Sequence, residues 1–178
     1  TFVRVGIVRN GITTEIFGVS DTNLRRFTVQ QVDTGDAAVL RSLELYGEHV
    51  GEPTTIIYER FFARYPEAEE MFAYDRHVEE RMMSSVLMMI SDLADHTSTI
   101  DECLYWITDH VAWEVSRDMV FDMFEMIHDT IREGLGERWT PEMGTGWHNL
   151  LGRMKPAMAE RITEIEGSSR VPDLSARV

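Results

Sequence analysis

From about Thr34 onward, apolar residues return every three or four positions, the period of a helix that buries one face. The pattern predicts a first helix from Asp36, read as its N-cap, to roughly His49. Pro53 marks the start of a second over Thr54–Arg64, because its fixed φ suits a first turn. Pro66 opens a short turn to Phe72, and a long helix follows from about Asp75 to Leu93. On it Met82, Met83, Val86, Met89, Ile90 and Leu93 share a face. Ser98 with Asp101 resembles a capping box for the short helix that carries His110. Ser116 caps the next, where Val120, Phe121, Phe124, Ile127 and Ile131 keep the period until Gly134 and Gly136 end it. Thr140 and Pro141 start the last helix, through Trp147, Leu150, Leu151, Met154 and Met158.

Before Thr34 the pattern changes. Phe2–Val8 and Thr13–Val19 are rich in β-branched residues and flank Asn10-Gly11, which reads as a hairpin with an Asn-Gly turn. A lone hairpin is marginal in water, so it must pack on something or move. The organisation expected is an N-terminal extension over 1–33, a helical domain over 34–166 and a flexible tail over 167–178, where Ser168, Ser169 and Pro172 follow Gly167. The chain carries no internal repeat.

Composition narrows the function more than the fold. At 178 residues the chain holds one domain with a full core, and its eleven Met suit an irregular or ligand-shaped interior as well as a soft helix core. With 31 acidic and 17 basic residues the formal charge is −14, and Lys155 is the only lysine. Such a surface repels phosphate backbones and anionic lipid, which argues against nucleic-acid and membrane partners. Cys103 is the only cysteine, so an intramolecular disulfide or a thiolate cluster is excluded and a reducing compartment is expected. No apolar run approaches 18 residues and Thr1–Gln30 has no signal-peptide pattern, so a cytoplasmic protein is expected.

His110 stands alone on the apolar face of its short helix. In that setting a histidine is either a core residue bonded to a backbone carbonyl or an axial ligand of an iron porphyrin. Other chemistry finds no support. His49, His96, His128 and His148 lack metal-ligand spacing, Ser168-Ser169 lacks a base, and Gly11, Gly18 and Gly35 make no phosphate loop. The Glu67, Glu69, Glu70 and Glu79, Glu80 runs read as solvated faces.

Three segments, in order, carry a resemblance. The first is Ile57-Tyr58-Glu59-Arg60-Phe61-Phe62-Ala63-Arg64-Tyr65-Pro66, continuing to Phe72. The second is Asp109-His110-Val111-Ala112-Trp113-Glu114-Val115, and the third is Gly134-Leu135-Gly136-Glu137-Arg138-Trp139-Thr140-Pro141-Glu142 with Trp147 beyond. Together they make Asp36 to Glu166 resemble bacterial single-domain globins and the globin part of flavohaemoglobins, which usually have Tyr and Gly at the places of Trp113 and Glu114.

The resemblance implies an all-α globin fold, a 3-over-3 helical sandwich, around one haem b (iron protoporphyrin IX), with the β-prone extension in front. It implies His110 as the proximal iron ligand, its other ring nitrogen donating to a carbonyl one turn back, near Trp106. It implies Tyr58 as distal hydrogen-bond donor and Phe72 packed on the macrocycle. The distal position of the Met-rich helix falls on Val78, with His77 as the one-residue alternative, either a second axial ligand or a distal donor. In the Val78 register Arg81 turns outward to meet a haem propionate, and Met82, Trp106, Val115, Phe121 and Phe124 complete the haem contacts. The Tyr and Glu that make the proximal histidine electron-rich in flavohaemoglobins fall on Val120 and about Ile162, neither of which can hydrogen-bond an imidazole. The activity implied is reversible binding of a diatomic gas: O2, NO or CO. The alternatives are oxidation of nitric oxide to nitrate with an external reductase, and a sensor or interaction domain that docks a partner through the extension and the acidic surface; a homodimer is left open.

Overall fold

A computed structural model describes residues 35–72 and 77–168, and the backbone of 6–10, 13–20 and 23–29. The chain divides into two compact units, Thr1–Thr34 and Gly35–Val178.

In the first unit, strands β1 (Gly6–Asn10), β2 (Thr13–Ser20) and β3 (Asn23–Val29) form an antiparallel sheet in sequence order. Asn10 pairs with Thr13 and Ser20 with Asn23. Asn10 is therefore the last ladder residue of β1 rather than part of the expected turn. Gly11, like Phe2–Val5 of the expected first strand, lies outside the described residues. The third strand was not read from the sequence, because Asn23–Val29 contains two adjacent arginines and no clean alternation.

The second unit is helical. Its elements are α1 (Asp36–His49), α2 (Thr54–Arg64), α3 (Pro66–Phe72), α4 (Val78–Ala94), α5 (Ile100–Cys103), α6 (Ile107–Ala112), α7 (Arg117–Leu135) and α8 (Pro141–Ser168). A 3-10 turn, Leu104–Trp106, links α5 to α6, and another, Gly136–Arg138, follows α7. Among the described residues no helix is long and apolar enough to cross a membrane.

Local signals set most helix ends. Ser116 Oγ accepts from the Met119 N–H at 3.1 Å, and Thr140 Oγ1 from the Met143 N–H at 3.3 Å, each satisfying a donor that the first turn leaves open. The capping box sits one residue beyond the expected Ser98 and Asp101: Thr99 and Glu102 exchange the two bonds. Gly136, at φ +51, ends α7, whereas Gly134 lies inside the helix, where a Cβ would stand 2.3 Å from Tyr46 Cε2. The segment Pro66–Phe72 is a helix rather than a turn, and Gly167 and Ser168 belong to α8 rather than to a tail. Asp75, the expected start of the Met-rich helix, lies outside the described residues.

Asp36 is the first residue of α1 and not its cap; Gly35, at φ +79, precedes it. Its carboxylate is 1% exposed and takes two bonds from Arg153 of α8, at 2.8 and 3.0 Å. A long-range partner has replaced the local role that the sequence suggested.

Helix α1 packs on α4, α7 and α8; α2 packs on α3, α4 and α7; α5 and α6 lean on α8. Val39, Ile57, Ile107, Ile127, Leu150 and Met158 are fully buried where these helices meet. Complete burial of one such side chain contributes about 2 kcal/mol. Trp147 spans the α1–α8 contact: its indole N–H donates to Ser42 Oγ at 2.9 Å, and Ser42 donates to the Val39 carbonyl at 2.7 Å. No donor in that buried chain is left over. Helices α4 and α6, by contrast, do not pack closely on each other.

Candidate functional site

His110 lies on α6 with its ring half-buried. Nδ1 is 2.9 Å from the carbonyl oxygen of Trp106, one turn back. A carbonyl only accepts, so Nδ1 carries the proton and Nε2 presents a lone pair. Nε2 has no hydrogen-bond partner among the described residues. The Trp106 ring meets the imidazole edge-on with centroids 4.8 Å apart and lies 6.3 Å from Phe124 of α7. The Trp106 indole N–H is buried without a partner, the one such side-chain atom among the described residues. Val111, Val115 and Phe121 are half-buried against the core, and Phe124 is buried in it. Val120 and Ile162 are both buried, at 5% and 2% exposure, and neither side chain can hydrogen-bond an imidazole. Glu114, just past α6, has φ +61, the left-handed conformation that favours glycine.

Tyr58 projects from α2 into a ring cluster. Its centroid is 5.2 Å from Phe72, 5.5 Å from Phe62 and 6.4 Å from Phe61. The side chain is 2% exposed, and the hydroxyl has no hydrogen-bond partner among the described residues. Burial pushes the phenol's pKa well above its ordinary value, and the Glu79 carboxylate adds to the shift. The group therefore stays protonated, a donor without an acceptor. Glu79 is half-buried, not a solvated face, because α4 packs on α2.

The Met-rich face of α4 divides in two. Met83, Ile90 and Leu93 belong to the core, while Val86 and Met89 are half-buried against it. Val78 and Met82, one turn apart, are half-buried and lie outside the core cluster of the described residues. Arg81 is exposed. His77 precedes the helix, its side chain is 73% exposed, and Nδ1 is 3.6 Å from the Glu80 carboxylate. It faces solvent rather than the ring cluster.

The structure thus joins Tyr58, Phe72 and the start of α4 in one cluster and His110, Trp106 and Phe124 in another. Phe62 and Glu79 were missed from the sequence. Phe62 was legible, since a residue four beyond Tyr58 shares its helix face. Glu79 was not, because its burial depends on α2. Among the described residues no group of three His, Cys, Asp or Glu is placed to hold a metal ion. No protein-family model matches the chain, and no curated protein matches it.

Proposed function

We propose that the helical unit is a globin, a 3-over-3 sandwich that holds one haem b and binds dioxygen or another diatomic gas reversibly. The observation that carries this reading is His110: one ring nitrogen is anchored by the Trp106 carbonyl and the other is left without a partner. A core histidine has no use for a free lone pair, whereas an axial ligand needs one.

The residues present fit the group. An unpartnered imidazole nitrogen and a buried, unpartnered indole N–H lie together on the α6 side. Partly buried apolar side chains outside the described core cluster, Val78 and Met82, stand at the start of α4. Half-covered apolar surface of this kind suits a flat apolar ligand. Glu114 adds support, since its left-handed backbone is the conformation that the glycine usual there in the family takes without strain.

When bound, the haem supplies a ferrous iron that takes up a diatomic gas. His110 would hold the iron, and its Trp106 carbonyl bond fixes the ring's orientation and raises its basicity. Phe72, Val78, Met82, Val115, Phe121 and Phe124 would enclose the macrocycle and exclude water, with Arg81 pairing a propionate. Tyr58, kept neutral by burial, would donate a hydrogen bond to the gas. Val120 and Ile162 give the imidazole no anionic partner, which favours reversible binding over turnover. His77 faces solvent, leaving the gas side to Tyr58.

Titration of the purified full chain with hemin, followed by spectra of its ferric, ferrous and carbonyl forms, tests the reading. A saturable Soret band at one hemin per chain is expected. A protein that takes up no hemin would end it.

A further inference from the structure

Helix α6, with α5 and the 3-10 turn before it, presents two different faces. Cys103, Leu104 and Ile107 turn inward and are buried, where α5 and α6 lean on α8. Asp101, Tyr105, Asp109 and Trp113 recur every four residues along the other side, and all four are exposed. Tyr105 is 78% exposed and Trp113 68%, and no other Phe, Tyr or Trp among the described residues is exposed. Neither ring makes a ring contact among the described residues.

Trp113 is held where it stands. The Glu114 N–H donates to the Val111 carbonyl at 3.1 Å and the Val115 N–H to the His110 carbonyl at 2.9 Å, the paired bonds that close a helix. That closure needs a left-handed residue after Trp113. At φ +61, a glutamate fills the place that glycine takes without strain. The chain thus keeps a carboxylate beside the indole against the backbone's preference.

Charge selects what these rings can meet. From Asp101 to Asp118 there are five acidic residues, Asp101, Glu102, Asp109, Glu114 and Asp118, and one basic, Arg117. All five acidic residues are exposed, and none forms an ion pair among the described residues. The Arg117 guanidinium instead donates to the Thr163 hydroxyl of α8 at 2.9 Å. Aromatic faces attract cations, and arginine stacks on them while pairing with carboxylates. Eight residues at 1.5 Å each put Tyr105 and Trp113 about 12 Å apart along the axis, beyond the span of one guanidinium. Nucleic acid, anionic lipid and a second −14 copy of the chain would all be repelled.

We infer that the Tyr105–Trp113 face docks a partner protein through an arginine-bearing segment. The carboxylates draw that segment in and pair with its guanidinium groups, and the two rings stack on them. The face does not depend on the haem reading, because none of its residues is assigned to the macrocycle.

Fluorescence polarisation of a dye-labelled peptide of alternating arginine and glycine, titrated with the full chain, tests this. Physiological salt screens the general attraction of a −14 surface. Saturable binding of one peptide per chain is expected. Trp113→Ala and Tyr105→Ala, which change no charge, should each weaken it about two- to fivefold, the worth of a surface cation–π contact. Asp109→Asn with Glu114→Gln should weaken it more than Glu67→Gln with Glu69→Gln, which removes the same charge from α3. Glu114→Gly separates docking from folding: it should melt higher than the parent and bind the peptide less tightly. An absence of saturable binding would overturn the proposal, as would alanine or glycine variants that bind like the parent, or equal losses from the two charge-removing pairs. Equally tight binding of a peptide with glutamine in place of arginine would overturn it too. So would a dimer seen by sedimentation that Trp113→Ala dissolves, which would make the face an interface between copies.

Discussion

The carbonyl oxygen of Trp106 holds His110 Nδ1 at 2.9 Å, and the two rings meet edge-on. One residue thus orients the imidazole twice, through its backbone and through its side chain. This leaves the far nitrogen a fixed direction, which a metal ligand needs and a packing residue does not.

His110→Ala should abolish tight hemin retention. The ring is half-buried, so the fold should survive the loss. Added imidazole should restore the ferrous carbonyl spectrum by standing in for the missing side chain. Unchanged hemin affinity in a titration would show that another group holds the iron.

Tyr58→Phe should speed dioxygen release about five- to tenfold, the equivalent of a hydrogen bond of about 1–1.5 kcal/mol. Carbon monoxide, a poorer acceptor, should leave at nearly its original rate. Stopped-flow displacement reads both. Equal effects on the two gases would point to altered packing with Phe72 rather than a lost donor.

Alkaline pH gives a separate test. Burial raises the phenol pKa of Tyr58 above the ordinary value of 10.0, with Glu79 adding to it, and burial also raises Tyr46 and Tyr65. The unfolded chain loses these protons first, so the folded state binds more of them as pH climbs past 10. The stability these phenols contribute is therefore complete below about pH 10 and falls above it. Urea unfolding at pH 8, 10 and 11 should show that decline, and Tyr58→Phe should flatten it. Absorbance at 295 nm should record the last tyrosinates appearing only as the protein unfolds.

Arg153→Ala would strand the Asp36 carboxylate, 1% exposed, without the Nη2 group that donates to both of its oxygens. His96 Nε2, at 3.4 Å, is a weak substitute. Loss of a buried ion-pair partner costs about 3–5 kcal/mol, and the half-exposed arginine puts this case near 3. Adding Asp36→Asn should recover much of the loss. Chemical denaturation of the single and double variants measures the coupling, and additive losses would mean that the pair is not cooperative.

Gly146→Ala should destabilise the α1–α8 contact although alanine is the better helix former. A Cβ there would lie 2.1 Å from the Gly35 carbonyl oxygen, a backbone atom that cannot swing aside. Overpacking of this kind costs about 1–3 kcal/mol. A melting temperature equal to or above the parent's would mean that the two helices separate easily.

Much of the helical unit was legible because its signals are local. The caps Ser116 and Thr140, the 3.6-residue stripe of α7 and the stop at Gly136 act within a turn or two of the residues that make them. The bond from His110 to Trp106 was expected for the same reason, since residues four apart on a helix are neighbours. Where two local choices were nearly equal the reading slipped by a residue, as at Ser98 against Thr99.

Sequence alone determined where helices form, which stripes are apolar and that His110 stands on one of them. Tertiary packing decided which apolar residues found partners: Met83 entered the core while Met82 stayed at its margin. It turned Asp36 from a cap into a buried ion-pair partner and put Glu79 beside the Tyr58 phenol. It also left the Trp106 indole N–H buried with no acceptor among the described residues. Periodicity is written in residues a few positions apart, whereas burial and pairing depend on groups brought together from distant parts of the chain.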